Sequence, residues 1–354
     1  MVNHRLQPFS KSYFNGDSSL PQSFDSYLAR IADEIDSSTK EEGIPLWSGN
    51  RDLAPQGVVE ISLNQLARFW KEPAKGFLQA QGILLAGEEV DDEELDRPPL
   101  SLDPLKRWKL RNSIVEEISL GSGELDLLKA EFRANRLLPP EELGSREWKT
   151  QENFGRTFGA AIKRHTGETL PFEIALNERQ VRLTGEIILS NDKKHLVASS
   201  LSSIKGDRHY LSPWISALSA SSADHSLPTL LLDPEHLDNP LLLPAIPKAE
   251  ALVILSHLVK GYLEGQHQPL CYAPETSKLI AGQLRGENQD AHQLVQNAAS
   301  EWNRKAWNNI PGGEGSKDSS QLAWRDRDPF EDPDSWVQWA KEVSLSLEAW
   351  RALK

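Results

Sequence analysis

Residues 181–218 read VRLTGEIILSNDKKHLVASSLSSIKGDRHYLSPWISAL, and this stretch decides the fold that the sequence predicts. Apolar residues alternate along 181–189, polar residues follow at 191–194, and after His195 apolar residues return at 196–198. Alternation predicts half-buried strands, and Asn, Asp and Lys between two strands are typical of a turn. A basic loop and an amphipathic helix over 210–220 come next. We therefore expect a strand, a turn, a second strand over 195–200 and a helix, in that order.

Length and composition limit the class of protein. With 354 residues, 38% of them hydrophobic, the chain is long enough to bury a large core. The net charge of −13 argues against a protein that coats nucleic acid, although it leaves room for a local basic groove. One cysteine, Cys271, excludes a disulfide within the chain and fits a reducing compartment. Without a membrane-length apolar run or an apolar signal segment in residues 1–10, we expect an acidic, soluble, cytoplasmic α/β protein with no membrane partner.

The composition of the chain changes near residue 56. Residues 1–56 are rich in Ser, Asp, Pro and Gly, with one plausible helix near 23–35, and such a segment rarely builds its own core. We expect an arm or linker that packs on the rest of the chain or on a domain upstream of it. Residues 57–354 are predicted to form the main domain. Within it, the acids at 88–96 predict a solvated loop and the glycines at 312–315 a mobile linker.

Hydrophobic periodicity predicts further helices and strands in the main domain. The first helix covers 62–79, with Ser62 as its N-cap and a break or kink at Glu72-Pro73. Strands over 171–176, 181–189 and 195–200 are expected to form a three-stranded sheet. Other helices are predicted over 103–119, 123–135, 140–166, 248–266, 291–307 and 334–352, another strand over 230–232, and a short strand or extended segment over 270–273. Most tryptophans fall inside these helices, which favours packing over base stacking.

The common motifs of nucleotide-dependent enzymes, esterases and zinc proteases do not occur in the sequence. The patterns G-x-x-x-x-G-K-[ST], G-x-S-x-G and H-E-x-x-H are all absent. His225 and His236 lie beside acids, but a metal site needs more converging ligands than these segments offer. We therefore expect no cofactor and no bound metal.

Nucleases of the restriction-endonuclease-like fold keep their metal-binding acids on a strand–turn–strand–helix unit that residues 181–218 resemble. These nucleases carry an Asp on the second strand, and an acid, one residue and a Lys on the third, which together hold Mg²⁺. Here Ile188 stands at the place of the Asp, and Ser199 and Leu201 stand where the acid and the Lys belong. Branched apolar side chains cannot bind a hard cation, and a serine hydroxyl is a weak substitute for a carboxylate. Glu186 is the one acid left nearby, so the site is expected to be degenerate and the domain not to be an enzyme.

Several segments resemble one family, the C-terminal domain of RecC, the gamma subunit of exodeoxyribonuclease V. The segments are His4-x-Leu6-Gln7-Pro8-Phe9-Ser10, Ser62-Leu63-x-x-Leu66-x-Arg68-Phe69-Trp70-x-x-Pro73, Val181-x-Leu183-Thr184-Gly185, Gly261-Tyr262-x-Glu264-Gly265-x-x-x-Pro269-Leu270, Trp302-x-x-x-Ala306-Trp307 and Asp328-Pro329-Phe330. The resemblance implies an α/β (α+β) pseudo-nuclease fold of the restriction-endonuclease-like, PD-(D/E)xK type, with a small mixed sheet flanked by many helices.

The same resemblance implies partners and a biological role. In the family, this domain belongs to a scaffold subunit of the RecBCD helicase–nuclease, which acts in recombinational double-strand-break repair. RecB-like and RecD-like subunits, a double-stranded DNA end and the nascent single strands are the partners that it implies. The scaffold helps to engage and split the duplex.

Basic residues beside the degenerate site, with a pair near the end of the helix predicted over 291–307, are the candidates for DNA contact. Lys and Arg neutralise phosphates without reading bases. The candidates are Lys193, Lys194, His195, Lys205, Arg208, Arg304 and Lys305. Ordinary solvated turns would account for the first five without any DNA contact. Because the whole chain is acidic, we expect weak, salt-sensitive DNA binding.

Two other functions stay open from the sequence. One is an active Mg²⁺-dependent nuclease that uses Glu186 together with acids from elsewhere, such as Glu173 or Asp207. The other is a protein-interaction adaptor that makes no contact with DNA. Cleavage of linear DNA would favour the first, and partner binding without DNA binding would favour the second.

Overall fold

The computed structural model describes residues 8, 10–15, 22–37, 57–85, 101–102, 104–121, 124–176, 181–286, 290–306, 312–325 and 327–352. The chain divides into two compact units, one of residues 1–49 and 325–327 and the other of residues 50–324 and 328–354. The acidic loop predicted at 88–96 lies outside the described residues, as does most of the predicted arm. The division into an arm over 1–56 and a domain over 57–354 therefore stays a prediction.

In the first unit, the described residues form a 3₁₀ turn, Lys11–Tyr13, and one α-helix, α1 (Ser26–Ser37). Asp25 precedes α1, and its Oδ1 accepts hydrogen bonds from the backbone N–H groups of Tyr27 and Leu28 at 2.9 and 3.1 Å. An aspartate in this position satisfies N–H groups that have no partner inside the helix. The helix predicted near 23–35 is thus confirmed.

A six-stranded mixed sheet forms the centre of the second unit. Its strands are β1 (Val59–Ser62), β2 (Thr166–Leu176), β3 (Val181–Ser190), β4 (Leu196–Ser199), β5 (Thr229–Leu232) and β6 (Leu241–Leu243). β3 pairs antiparallel with β2, parallel with β1 through residues 181–184, and antiparallel with β4 at Leu189. β5 pairs parallel with β4 and antiparallel with β6.

The predicted three-stranded sheet is therefore too small. β5 matches the strand expected over 230–232, but the sequence predicted neither β1 nor β6. These strands have four and three residues, too few for an alternating pattern to stand out. Residues 270–273 form no strand and correspond to the extended alternative. The class itself, a mixed α/β protein with a small sheet and many helices, is confirmed.

The described residues of the second unit also form twelve α-helices. They are α2 (Leu63–Lys71), α3 (Pro73–Ala80), α4 (Pro104–Leu120), α5 (Leu125–Ala134), α6 (Glu141–His165), α7 (Asp207–Ser222), α8 (Lys248–Gly265), α9 (Pro274–Gln283), α10 (Ala291–Trp302), α11 (Asp318–Ala323), α12 (Pro333–Trp339) and α13 (Ser346–Ala352), with π-helical residues Ala340–Leu345 joining the last two. Most predicted helices are confirmed within a few residues. Among the described residues, no helix is long and apolar enough to cross a membrane.

Local hydrogen bonds explain the start of α2. The Ser62 hydroxyl accepts from the Gln65 backbone N–H at 3.2 Å, and the Gln65 side-chain oxygen accepts from the Ser62 N–H at 2.8 Å. This reciprocal pair is a capping box. Pro73 then begins α3 as its first residue, where a missing N–H costs nothing. The predicted cap and the predicted break are both confirmed.

Tryptophans fill the main core, which lies between the sheet, α2, α7 and α8. Trp70 and Trp214 have no exposed surface, and the Trp70 Nε1–H donates to the Leu258 carbonyl at 3.1 Å. Gly261 lets α8 approach closely, because a Cβ there would lie 2.7 Å from the rings of both Trp70 and Trp339. The predicted packing role is confirmed for these residues. Trp108, which is 45% exposed, is an exception.

The helix predicted over 291–307 is wrong in its last part. α10 ends at Trp302, and the chain then turns, so that the Arg304 carbonyl accepts from the Gly313 N–H at 2.7 Å. Trp307 lies outside the described residues. The turn depends on a contact with residues beyond the helix, which helical periodicity cannot report.

The mobile linker predicted at 312–315 is also wrong. Gly313 and Gly315 lie so close to the end of α10 that a Cβ at either position would collide with Glu301 or Trp302. A 3₁₀ turn, Glu314–Ser316, buries the Glu314 side chain. These glycines therefore allow close packing of the backbone rather than mobility.

Candidate nucleic-acid interface

The turn between β3 and β4 is held by its own polar side chains. The Ser190 hydroxyl donates to Asp192 Oδ1 at 2.6 Å, and the Lys194 N–H donates to the same oxygen at 3.1 Å. These two hydrogen bonds, the first being the stronger influence, lower the pKa of the Asp192 carboxyl. Lys193 has a positive φ of 58°, a conformation that tight turns require. The predicted strand–turn–strand unit is thus confirmed.

The degenerate site lies on the exposed face of β3 and at the end of β4. Glu186 and Ile188 are both exposed and Ile187 is buried, as alternation along the strand predicts. Ser199 is exposed as the last residue of β4, and Leu201 is half-buried beyond it. Of these residues, only Glu186 offers a carboxylate.

The two acids considered as partners of Glu186 have different surroundings. Glu173 lies opposite Thr184 on β2 and therefore on the face that carries Glu186, where it pairs with Arg182 at 3.1 Å. Asp207 is buried in the first turn of α7 and pairs with Arg351 and, at 3.5 Å, with Lys278. Among the described residues, no three His, Cys, Asp or Glu side chains are grouped so that they could hold a metal ion.

Of the cations in the β3–β4 turn, one has no acidic partner in the part of the chain that the structure describes. The Lys193 ammonium pairs with Glu168 at 2.7 Å, and His195 Nδ1 lies 3.6 Å from Asp192. Lys194 is exposed, and its ammonium has no carboxylate partner within the described parts of the chain. The turn therefore presents one unpaired cation and one paired lysine to solvent.

The second predicted basic loop is partly helical. α7 begins at Asp207, so Arg208 lies in its first turn and not in a loop. The cause is local, because an aspartate in the first turn favours the start of a helix. Arg208 Nη2 donates to Glu72 at 3.0 Å, and Lys205 lies 3.8 Å from Glu235. Both candidates already have acidic partners.

The remaining candidates, Arg304 and Lys305, follow the end of α10. Arg304 pairs with Glu301 at 3.0 Å, whereas Lys305 is exposed. α10 belongs to a second core cluster together with α9 and α12. The predicted DNA-binding residues thus lie on different elements of the fold.

A narrow cleft of about 10 Å³, room for roughly one water molecule, that the sequence did not predict lies between α2, α9 and the turn that follows α10. Lys71, Glu72, Tyr272, Glu314 and Lys317 contribute to its lining. Burial lowers the pKa of Lys71 and raises the pKa of Glu314. Glu314 Oε2 accepts from the Thr276 N–H at 2.9 Å and from its hydroxyl at 2.8 Å, so this acid satisfies the first turn of α9. No local sequence pattern indicates that Glu314 binds Thr276, because the two residues lie 38 positions apart.

Residues 59–285 match the model of the RecC C-terminal domain family. The chain is 26% identical to the RecBCD enzyme subunit RecC of Mycobacterium tuberculosis (strain H37Rv) over 344 residues, 94% of this chain and 30% of that protein. It is 25% identical to the subunit of the same name from Escherichia coli K12 over 221 residues, 61% of this chain and 19% of that protein. The relative from Mycolicibacterium smegmatis is 26% identical over 287 residues, 78% and 26% of the two chains. The chain thus spans less than a third of the length of these relatives.

Proposed function

The chain belongs to the RecC C-terminal domain family, and from this membership we propose that it is a non-catalytic scaffold domain of a RecBCD-type complex. In this role it docks RecB-like and RecD-like subunits in the cytoplasm and helps to engage and split a DNA duplex during recombinational double-strand-break repair. The match over residues 59–285 carries the proposal, because it covers all six strands and the helices α2 to α9. In this proposal, residues 1–56 act as an arm and residues 57–354 form the nuclease-like domain.

A restriction-endonuclease-like origin of the sheet is part of this proposal. The order of β3, turn, β4 and α7 supports it, because such nucleases place their catalytic acids on a unit of this kind. Ile188, Ser199 and Leu201 supply neither the carboxylates that bind Mg²⁺ nor the lysine that accompanies them. This donor set does not fit a divalent cation, and we assign no catalytic step to it.

Docking of the partner subunits is tested by co-expression of the full chain with the RecB-like and RecD-like proteins of the same genome. We expect a complex that stays together through affinity and size-exclusion chromatography. A chain that elutes alone under conditions in which its partners associate would contradict the scaffold role. A complex that forms while the chain has no measurable affinity for DNA would favour the adaptor.

An active nuclease is the second candidate, favoured by the position of Glu173 and Glu186 on one exposed face. The full chain is incubated with linear duplex DNA and Mg²⁺ or Mn²⁺, beside Glu186→Gln and a matched control, Glu250→Gln, on the exposed side of α8. The scaffold proposal expects the same absence of cleavage in all three proteins. Cleavage by the wild type and by Glu250→Gln that is lost in Glu186→Gln would establish the nuclease.

A further inference from the structure

Basic side chains form a stripe along one face of α6. The exposed residues of this helix between 143 and 165 are Leu143, Arg146, Lys149, Thr150, Asn153, Arg156, Thr157, Ala160, Lys163 and Arg164. Residues three, four and seven positions apart lie on the same side of an α-helix, so the five cations share one face. The exposed acids of α6, Glu141 and Glu142, both lie in its first turn, and from residue 143 onwards its exposed residues include no acid, although the whole chain carries a net charge of −13.

The opposite face of α6 is fixed against α4. Gly155 and Gly159 lie against Ile114 and Ile118, and a Cβ on these glycines would approach the isoleucines to 2.5 and 2.7 Å. Arg111 Nε donates to Gln151 at 3.0 Å in the same interface. Close packing of this kind holds α6 in one orientation. The basic stripe is therefore presented on a supported helix.

Among the described residues, three of the five cations have no acidic partner. Arg156 pairs with Glu152 at 2.7 Å, and Arg164 lies 3.7 Å from Asp238. Arg146, Lys149 and Lys163 are exposed, and within the described residues they form no ion pair. The positive charge of the stripe is therefore only partly neutralised by the protein itself.

The stripe continues into the turn between β3 and β4. The Asn191 side-chain amide donates to the Arg164 carbonyl at 2.8 Å and so fastens the turn to the end of α6. Lys193 and the unpaired Lys194 follow in that turn. Two separate segments of the chain thus form one surface, here called the α6 track: Arg146, Lys149, Arg156, Lys163, Arg164, Lys193 and Lys194.

We propose that the α6 track binds the phosphate backbone of duplex DNA without reading its sequence. This inference rests on the proposed function and names the surface that would carry its DNA contact. At 1.5 Å per residue, α6 rises about 27 Å between Arg146 and Arg164, which is the length of about eight base pairs at 3.4 Å each. A line of cations along a helix is the electrostatic footprint of a nucleic-acid binder. The exposed face of α6 carries no aromatic side chain on which unpaired bases could stack, which favours a duplex over a single strand.

The test measures how tightly the wild-type chain and two triple variants bind a labelled duplex of about 30 base pairs. Fluorescence anisotropy gives each affinity at several salt concentrations. The first variant combines Arg146→Ala, Lys149→Ala and Lys163→Ala. The control combines Lys248→Ala, Lys260→Ala and Lys341→Ala, which removes the same charge from exposed helical positions elsewhere. Alanine has the highest helix propensity, so both variants are expected to fold.

We expect the α6 variant to bind the duplex between about tenfold and about 500-fold more weakly than the wild type at about 0.1 M salt. The slope of log affinity against log salt concentration should become smaller by up to about 2.7, because each of three lost phosphate contacts contributes about 0.9 to it. The control is expected to bind like the wild type. Equal losses in both triple variants, or tighter binding of a single strand than of the duplex, would overturn the inference. Loss of RecB-like or RecD-like binding in the α6 variant, with DNA binding unchanged, would make the α6 track a protein interface. These outcomes leave the scaffold role intact, which fails only if the wild-type chain forms no complex with its partner subunits.

Discussion

Removing the cations around Asp207 is expected to destabilise the chain more than removing the carboxylate itself. The Asp207 side chain is 1% exposed, contacts Arg351 and lies 3.5 Å from Lys278. Its Oδ2 has no hydrogen-bond partner in the part of the chain that the structure describes. The side chains of Arg351 and Lys278 are 31% and 34% exposed, so water reaches both cations but not the acid.

These exposures set the expected magnitudes. The double variant Arg351→Met with Lys278→Met leaves a buried carboxylate without a counter-ion, which costs about 3–5 kcal/mol. Asp207→Asn leaves two cations that can turn towards water, and the loss of their charged hydrogen bonds costs about 1–3 kcal/mol. The double variant should therefore be the less stable protein.

Urea unfolding followed by circular dichroism measures this difference as a shift in midpoint at constant slope. A control with Lys248→Met and Lys260→Met removes two cations from exposed ion pairs and should change the free energy of unfolding by less than about 1 kcal/mol. A cost of Asp207→Asn that equals or exceeds that of the double variant would contradict this expectation. In that case the carboxylate, and not the accessibility of its partners, would dominate this part of the fold.

Two further predictions concern the ends of helices. Ser62→Ala removes the hydroxyl that accepts from the Gln65 N–H and keeps the backbone N–H that donates to the Gln65 side chain. The loss of this cap should lower the free energy of unfolding by about 1 kcal/mol in the same assay, whereas an unchanged midpoint would show that the Ser62 hydroxyl contributes nothing. Burial raises the pKa of Glu314 above its ordinary value of 4.5, so the folded chain holds this proton more tightly than the unfolded chain. The stability that this provides is complete below pH 4.5 and is lost as the pH rises through the raised pKa. Glu314→Gln, which keeps an oxygen for Thr276, should remove this fall in the free energy of unfolding, and parallel pH profiles for the two proteins would contradict the prediction.

Features that depend on neighbouring residues could be predicted from the sequence. Ser62 and Gln65 are three residues apart, and Pro73 acts on its own position, so the cap and the break follow from local chemistry. Alternation along β3 likewise separates the exposed Glu186 from the buried Ile187. The helix predicted over 140–166 is likewise confirmed, as α6 over Glu141–His165.

Features that depend on distant contacts could not be predicted. Glu314 is buried because it satisfies Thr276, which lies 38 residues earlier, and nothing in a glycine-rich segment indicates that partner. The hydrogen bond from Asn191 to Arg164 joins the turn to α6 in the same way. The sequence predicts a loop at Arg208, because the start of α7 depends on Asp207, a residue that the apolar pattern does not include.

The pairing of β1 with β3 has a consequence for the order of folding. Glu60 on β1 and Arg182 on β3 form a hydrogen bond across a separation of 122 residues, whereas β2 and β3 are consecutive along the chain. Contacts between distant residues form late, because the intervening loop must be closed before they contribute any energy. We expect the β2–β3 hairpin to form early and β1 to join it last. Since each doubling of such a loop costs only about 0.6 kcal/mol, the helices between β1 and β2 can change in length during evolution while the sheet persists.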